Sequence, residues 1–512
     1  MYALSLFALV GIAGVAFDYS RVAGMDSELQ NGADEAALAG ATQLDHKDGA
    51  CARAANAAIG LLSNSTLLAN DNGGLAVKIN GGSAVALGND GCTGISGVTF
   101  YQDKDKTTVA TTDEDARFIE VAVDDRIANY AFTPIVGAFF GDIEAKALAG
   151  LGSSVCKVPP VMICNPAEST DPDFTVANYI GDGLRLVAND GGSNYAPGDF
   201  GYLDTDAGNG AQATSQTLGR VSPPGDCIAA DGVTTKPGVQ VSVLDALNTR
   251  FDIYANGINN ACGNGKSLCP PSANTRKDVL LSGNGNSCSN GCAFQTGGGN
   301  GWKIPANPYL PGSATTGLTA AQYSTLSPMG YPRDMCHAVS DLGSCTNGRI
   351  GDGNWDRTAY FGTNKLDYPT LPTSQNLLDW FGTTTPTRYQ VYKWEAANAS
   401  TRLKSEADSG GMTAYSQPAP DTSVGVPVDG TAPDRRVLSV AVINCNAEGV
   451  KGRTVDVNVT RWIDVFLVEP SLPRARTENS DVYVEIIGQT SLAGGGSTAA
   501  QTIRRDVPYL VQ

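Results

Sequence analysis

Residues 1–20 read MYALSLFALVGIAGVAFDYS, an apolar start on a chain that is otherwise polar and acidic. No charged side chain occurs in residues 1–17, and the first charge belongs to Asp18. Apolar residues then recur at helical spacing with polar residues between them, before any proline: Val22, Met25, Leu29, Ala33, Ala36 and Ala37. The pattern predicts one long helix over residues 1 to about 44, apolar all round in its first half and amphipathic in its second.

An apolar start of this kind has three explanations. A secretory signal peptide needs a basic region before its apolar core, and no Lys or Arg precedes the apolar run here. A membrane helix is a second explanation, because an apolar run of this length at about 1.5 Å per residue spans roughly 26 Å, the short end of a bilayer core. The third is a helix that packs against copies of itself in a filament, with a leader that was cut off or never included.

Beyond this helix the composition is that of a loop-rich β protein. The 512 residues include 60 Gly and 26 Pro, and 42% of the chain is apolar, which is enough for a sizeable core. Apolar alternation predicts strands at residues 117–123, 437–443, 462–468 and 482–487, and an Ala-rich helix is predicted at 48–62. We expect an α+β fold, with a long N-terminal hydrophobic and amphipathic helix followed by a disulfide-rich, mainly β body with a large loop-rich insertion.

Changes in composition predict four regions along the chain. Residues 1–47 form the assembly or anchor helix, and residues 48–164 hold a short helix and the first strands. Residues 165–430 are a loop-rich middle dense in Cys and Gly, and residues 431–512 supply the closing strands.

The twelve cysteines predict disulfides in an oxidising compartment. Only two histidines occur in the chain, and the cysteine spacing does not repeat the CxxC pattern of a zinc ribbon. Up to six disulfides are therefore expected, several of them local within the middle region, although spacing leaves the pairing open. The candidates are Cys51, Cys92, Cys156, Cys164, Cys227, Cys262, Cys269, Cys288, Cys292, Cys336, Cys345 and Cys445.

The charge of the chain excludes one class of partner. The formal net charge is −17, with 35 basic residues against 52 acidic ones and no Lys/Arg-rich run to neutralise phosphates, so nucleic acid is not an expected partner. No GxSxG or HExxH motif occurs, and a histidine-dependent site would have to use His46 or His337. We therefore expect a protein that is not an enzyme and needs no cofactor.

One short loop offers a candidate metal site. Asp352, Asn354 and Asp356 place three oxygen-bearing side chains at alternate positions, the spacing at which short loops wrap calcium. An EF-hand would need Gly at the sixth position and Glu at the twelfth, where this chain has Arg357 and Thr363. Plain Asx turns are the alternative.

Two glycines interrupt the apolar start. Gly11 and Gly14 would let helices approach closely, in lipid or in a filament core. The alternative is that these glycines only interrupt a short anchor.

The N-terminal residues carry a resemblance to a known family. Residues 3–44, with the Asp18-Tyr19 pair and the LQNGADEAALA stretch at residues 29–39, resemble the N-terminal segment of TadG-like proteins of the Tad (Flp) pilus system. Patchier matches to longer members of the group occur further along the chain, at residues 156–166, 197–204, 248–254, 331–336 and 437–488.

The chain also departs from related patterns. Many TadG-like proteins carry a von Willebrand A-type domain with an Asp-x-Ser-x-Ser metal site, and here Asp421-Thr-Ser423 lacks the second serine and the preceding strand. Because that metal site is incomplete, the metal-dependent adhesion role is not carried over.

Type IV pilins place Glu at the fifth mature position, where this chain has Ser5.

What the resemblance implies is non-enzymatic work in a surface appendage. We expect a structural subunit of an extracellular filament, whose partners are copies of itself and the assembly machinery of the inner membrane, into which it inserts before assembly. The body would form the outer shell of the filament. A membrane-anchored periplasmic accessory protein of pilus assembly is the alternative.

In the filament interpretation, the apolar face of the helix drives assembly. Its eight large apolar side chains would each contribute roughly 1.5–3 kcal/mol if fully buried, on the order of 10–20 kcal/mol together before entropy losses. The expected assembly residues are Leu4, Leu6, Phe7, Leu9, Val10, Gly11, Ile12, Gly14, Val15 and Phe17.

Overall fold

The computed structural model divides the chain into two compact units, Met1–Ser153 with Asp506–Gln512, and Ser154–Arg505. The predicted divisions at residues 47, 164 and 430 stay predictions. The structure describes residues 2–45, 48–61, 77–86, 91–113, 115–136, 140–156, 161–188, 194–204, 210–222, 227–229, 232–236, 241–255, 258–263, 267–283, 291–340, 343–420, 424–476, 481–490 and 503–511.

The predicted fold class is confirmed, since a long N-terminal helix precedes a mainly β body. The α-helices are α1 Tyr2–Ala41, α2 Ala50–Leu61, α3 Ala211–Gly219, α4 Val241–Asn248, α5 Asn259–Cys262, α6 Ala320–Tyr323, α7 Met335–Ala338, α8 Arg357–Thr363, α9 Ser374–Phe381, α10 Arg388–Ala397 and α11 Ala399–Arg402. The strands are β1 Val98–Tyr101, β2 Phe118–Ala122, β3 Arg126–Asn129, β4 Phe140–Ile143, β5 Lys146–Cys156, β6 Val161–Cys164, β7 Gly183–Ala188, β8 Asp199–Tyr202, β9 Cys227–Ala229, β10 Leu280–Ser282, β11 Gly301–Lys303, β12 Glu406–Ala407, β13 Thr413–Ala414, β14 Val437–Ile443, β15 Arg461–Leu467, β16 Asp481–Gln489 and β17 Ile503–Leu510.

In the first unit the amphipathic half of α1 packs on a sheet. The sheet has the order β1-β2-β5-β17, with β1 antiparallel to β2 and β2 antiparallel to β5. Small side chains on α1 let the helix approach closely, and a Cβ added at Gly40 would lie 2.5 Å from Cδ1 of Ile119. The buried residues of this core include Met25, Leu29, Ala33, Ala36, Ala37 and Ala41 of α1, with Ala54 and Ala58 of α2 and Ile119 and Val121 of β2.

A hairpin and one short helix stand next to α1 in the same unit. Strands β3 and β4 pair antiparallel, with Asn129 opposite Phe140. The 3-10 helix Thr133–Val136 follows β3 along the chain.

The second unit is built around a closed barrel. Its strand order is β14-β15-β16-β7-β8-β6, with the β6–β14 and β7–β8 pairs parallel and the other pairs antiparallel. All seven residues of β14 are buried, because Leu438, Val440 and Val442 join one core cluster while Ala441 and Ile443 join another. A strand covered on both faces is apolar at nearly every position, as its sequence VLSVAVI shows.

Buried ion pairs hold the segments between the strands onto this barrel. Arg388 of α10 pairs with Asp334 and, at 3.0 Å, with Glu485 of β16, and all three side chains are fully buried. Burial alone would raise the pKa of Asp334, but the Arg388 guanidinium holds it below its usual range.

A second buried carboxylate accepts hydrogen bonds from three tyrosine hydroxyl groups. Glu395 of α10 accepts hydrogen bonds from Tyr331 at 2.5 Å, Tyr360 at 2.6 Å and Tyr368 at 2.7 Å. Arg276 lies 3.3 Å from the same carboxylate and supplies the compensating charge. A buried polar network of this kind helps to fix one arrangement of a core.

The predicted disulfides are confirmed in the described part of the chain. Local pairs join Cys262 to Cys269 and Cys336 to Cys345, and two longer loops are closed by Cys51–Cys92 and Cys164–Cys445. Cys292 is also disulfide-bonded. Cys156 and Cys227 are opposite each other where β5 pairs with β9, and Cys288 lies outside the described residues.

Candidate assembly surface

The first half of α1 carries a run of exposed apolar side chains. We call residues 9–17 the apolar segment. Its large side chains are exposed to 64% at Leu9, 56% at Val10, 68% at Ile12, 43% at Val15 and 50% at Phe17. The side chains of Leu4, Leu6 and Phe7, also predicted to act in assembly, lie outside the described part of the structure.

A single carboxylate marks where α1 begins to dock on its unit. Asp18 is buried, and its side chain accepts hydrogen bonds from the backbone amides of Ala131 at 2.9 Å, Phe132 at 2.8 Å and Thr133 at 2.7 Å, and from the Thr133 hydroxyl. The bonded amides lie at the start of the 3-10 helix Thr133–Val136, where a negative charge is favoured. Burial alone would raise the pKa of the Asp18 carboxyl, but these hydrogen bonds hold it well below its usual range.

One turn before Asp18, the helix touches the same loop. A Cβ added at Gly14 would lie 2.5 Å from Cβ of Phe132, so only glycine permits this approach. The Phe17 ring packs edge-on against the Phe132 ring, with 5.5 Å between centroids. Among the described residues, by contrast, no atom lies within 4 Å of a Cβ added at Gly11. Of the two glycines, Gly14 serves contacts within the unit, while Gly11 makes no such contact with the described residues.

The exposed apolar segment is a candidate surface for association. Five large apolar side chains at nearly consecutive positions of one helix exceed the scattered single apolar residues that are normal on a soluble surface. About half of each side chain is already covered. Burying the rest would therefore contribute on the order of 5 kcal/mol per copy to the free energy of association, before entropy losses. This is less than the sequence alone predicts, because the earlier estimate counted eight side chains as fully buried.

Within the described residues, we find no helix with both the length and the apolar character needed to cross a membrane.

The loop predicted to bind calcium uses its acidic oxygens for backbone hydrogen bonds. Oδ1 of Asp352 accepts from the amide of Asn354 at 3.1 Å, as in an Asx turn. Asp356 is the N-cap of α8, accepting from the Ala359 amide at 2.9 Å and from the Leu318 amide at 2.7 Å. Calcium binding by Asp352, Asn354 and Asp356 stays a prediction.

A repeated tripeptide that sequence reasoning passed over brings another acidic residue to this loop. Gly-Asp-Gly occurs at residues 181–183 and again at 351–353, and the Gly351 amide donates to the Gly183 carbonyl at 2.7 Å. Oδ2 of the buried Asp334 accepts from the amides of Gly183, Asp352 and Gly353 at 2.9–3.0 Å. A Cβ added at Gly351 would lie 1.9 Å from the same oxygen, so the tripeptides close over Asp334 only because they contain glycine.

The side chain of the first tripeptide titrates abnormally. Burial, together with the negative charges of Asp334 and Asp352, raises the pKa of Asp182 to about 7. The repeat of Gly-Asp-Gly is the sequence signal that could have identified this pair.

Two groups of possible metal ligands among the described residues each contain two cysteines that are bonded to each other. They are Cys336, His337 and Cys345, and Cys51, Cys92 and Asp113. Their cysteines form disulfides and offer no thiolate. Both ring nitrogens of His337 have partners, the Tyr483 hydroxyl at 3.0 Å and the Gly348 carbonyl at 2.9 Å. His46 lies outside the described residues.

Comparison with known proteins connects only the N-terminal helix to a family. Residues 1–43 match the family model described as Tad, putative Flp pilus-assembly TadE/G-like. The match confirms the resemblance of this segment to TadG-like proteins and supports a pilus-associated role. No curated protein and no solved structure matches the chain.

Proposed function

We propose that this chain is a structural, non-enzymatic subunit of an extracellular pilus-like filament, which polymerises through the apolar segment of α1. The remainder of the chain would form the outer part of the filament. The partners of the apolar segment are the same segments of neighbouring copies, and the subunit is held in the inner membrane by the assembly machinery before it joins the filament.

The observation that carries this proposal is the change in exposure along one continuous helix. From Met25 onwards α1 contributes buried residues to the core of its own unit, whereas Leu9 to Phe17 present large apolar side chains to solvent. A helix that is apolar on all sides requires a covering layer. Identical helices from other copies provide one, and Gly11 lets two such helices approach closely.

The charge of the rest of the chain is consistent with this assignment. The net charge of −17 lies wholly outside residues 1–17, so the uncharged segment can pack against itself while the charged remainder stays in water. Repulsion between the charged parts also favours an ordered assembly through the helix over indiscriminate aggregation.

A membrane-anchored accessory protein of pilus assembly is the second candidate. The same exposure of Leu9, Val10 and Ile12 favours it, because acyl chains could cover the apolar segment in place of other copies. The two functions differ in the final location of the chain, which is the extracellular fibre for the first and the inner membrane for the second.

The test is to shear cells, collect the extracellular fibres and identify their proteins by mass spectrometry. A filament subunit is expected as a major component of the fibres. If the chain is absent from the fibres and fractionates with the inner membrane, the proposal is wrong and the accessory function replaces it.

A further inference from the structure

Five tryptophan and tyrosine rings lie in a row that runs from the surface of the second unit into its core. The Trp394 and Trp380 rings stack with 4.5 Å between their centroids, and the Tyr368 ring lies 6.5 Å from that of Trp380. Tyr360 follows at 6.3 Å from Tyr368, and Tyr331 at 5.1 Å from Tyr360. These centroid distances are those of rings in direct contact. We call these five residues the aromatic row.

The two ends of the aromatic row differ in their access to solvent. Trp380 and Trp394 are only partly buried where they pack against the core. Tyr368, Tyr360 and Tyr331 are 3%, 0% and 2% exposed. The row therefore connects two rings that a small molecule in solution can reach with three rings that it cannot.

The three buried tyrosines share one proton acceptor. Their hydroxyl groups all donate to the carboxylate of Glu395, at 2.5–2.7 Å. Packing alone does not require this arrangement, because phenylalanine fills nearly the same volume and a buried carboxylate costs desolvation energy. A group that accepts a proton during a reaction has to lie within hydrogen-bond reach of the donor, and Glu395 meets this condition for each of the three phenols.

The surroundings of Glu395 tolerate its protonation. Arg276 lies 3.3 Å from Glu395, but it also pairs with the Asp367 carboxylate at 2.6 Å. The guanidinium therefore keeps a charged partner when Glu395 takes up a proton. Burial favours the neutral form of a carboxyl group, so the proton is held in place once it has moved.

A positive charge beside the tryptophan pair determines where an oxidised ring is favoured. The guanidinium carbon of Arg402 lies 5.0 Å from the Trp380 centroid and 4.9 Å from the Trp394 centroid. This charge disfavours a radical cation on either indole. Arg402 also lies 5.1 Å from the Tyr368 centroid, but a tyrosine that gives its proton to Glu395 becomes a neutral radical, on which the charge acts little. An oxidising equivalent is therefore driven from the tryptophans to the tyrosines.

We propose that the aromatic row is an electron-transfer path, which gives one electron to oxygen-centred radicals at the surface and holds the resulting radical on the buried tyrosines. In the first step the oxidant takes one electron from the indole of Trp380 or Trp394 and is reduced to its anion. In the second step an electron passes from Tyr368 to the oxidised indole, and the phenol proton moves to Glu395. The indole is restored, and the products are a neutral tyrosyl radical and a protonated Glu395. This activity does not depend on assembly of the chain into a filament.

The test uses the full chain with a ruthenium polypyridyl photosensitiser attached through Ala397→Cys. Ala397 is exposed and lies three residues after Trp394 on α10, so the label is a neighbour of the tryptophan on the helix surface. Among the described residues no free cysteine competes for the label. A laser flash in the presence of a cobalt(III) electron acceptor converts the label to a one-electron oxidant. A tyrosyl radical is then expected, and transient absorption and electron paramagnetic resonance detect it.

Two conservative variants of the labelled chain interrupt the aromatic row. Trp380→Phe and Tyr368→Phe each keep an aromatic ring but remove a group that the label can oxidise, so each is expected to lose most of the tyrosyl signal. Tyr323→Phe removes a buried tyrosine outside the row and is the control, with an unchanged signal expected. No tyrosyl radical in the labelled parent, an unchanged signal in both Trp380→Phe and Tyr368→Phe, or loss of the signal in Tyr323→Phe would overturn the proposal.

Discussion

The carboxylate of Asp18 accepts a hydrogen bond from the backbone amide of Thr133 at 2.7 Å, across 115 residues of sequence. This contact lies at the point where α1 passes from its exposed apolar segment to its docked half. Gly14, four residues earlier and therefore on the same face of the helix, touches the same loop. Together the two residues attach this part of α1 to the loop at residues 131–133.

Replacing Asp18 with Ala should loosen the loop on α1. The amides of Ala131, Phe132 and Thr133 lose a charged acceptor, so their hydrogen exchange should become at least roughly tenfold faster. Asp26→Asn, at an exposed position of the same helix, is the control and should leave these amides protected. Unchanged exchange in the Asp18 variant would show that the carboxylate does not hold the loop.

The two glycines of the apolar segment should respond oppositely to alanine. Gly14→Ala places a methyl group 2.5 Å from Cβ of Phe132, and this overpacking should lower the free energy of unfolding of the first unit by about 1–2 kcal/mol. Gly11→Ala meets open space and gains helix propensity, so stability should rise by up to about 1 kcal/mol. Urea unfolding of both variants measures the difference, and equal effects would contradict the close contact of Gly14 with Phe132.

Removing a disulfide should lower the free energy of unfolding more when the bond closes a longer loop. Cys164–Cys445 spans 281 residues and Cys262–Cys269 spans 7, so the chain-entropy model gives about 5.6 kcal/mol for the first and about 2.4 kcal/mol for the second. The measurement is the free energy of unfolding of each double Cys→Ser variant in urea. A larger loss from the short loop would contradict the entropic explanation for these bonds.

The free energy of unfolding should depend on pH because Asp182 titrates at different pH values in the folded and unfolded chain. Its pKa is about 7 in the folded chain and about 3.9 when unfolded, so the folded state binds more protons between these values. This side chain therefore contributes stability that is complete below about pH 4 and is lost as the pH rises through 7. Asp182→Asn removes that loss, and the Tm of the variant relative to the parent should be several degrees higher at pH 8 than at pH 5.

A second variant checks the cause of the Asp182 shift. Because the charge of Asp352 helps to raise the pKa of Asp182, Asp352→Asn should give a pH dependence intermediate between the parent and Asp182→Asn. The same slope in all three proteins would show that Asp182 does not titrate in this range.

The elements that sequence patterns predicted best are those with strong periodicity. The long helix, the helix at 48–62 and the strands near residues 120, 440, 465 and 485 are confirmed within a few residues as α1, α2, β2, β14, β15 and β16. Each is long or strongly apolar, and burial dictates such patterns directly. Short spacing within a Cys-rich stretch predicted that some disulfides are local, which is confirmed, but it did not predict which cysteines pair.

The contacts between distant segments could not be predicted. Asp18 is visible in the sequence as the first charge, but nothing in the sequence pairs it with residues 131–133. The barrel closes through the short strands β6, β7 and β8, whose four to six residues carry little periodic signal. The Cys164–Cys445 bond follows from the parallel pairing of β6 with β14, which is a property of topology rather than of spacing.

Assembly through the apolar segment is tested most directly by the amount of a Val10→Asp chain found in sheared extracellular fibres. The matched control is Val424→Asp, which places the same charge on a valine that is 91% exposed in the second unit. The expected result is at least a tenfold loss of fibres for Val10→Asp, with an unchanged Tm of the body, and normal fibres for Val424→Asp, because only the first charge must be buried. Wild-type amounts of fibre containing the Val10→Asp chain would contradict assembly through this helix.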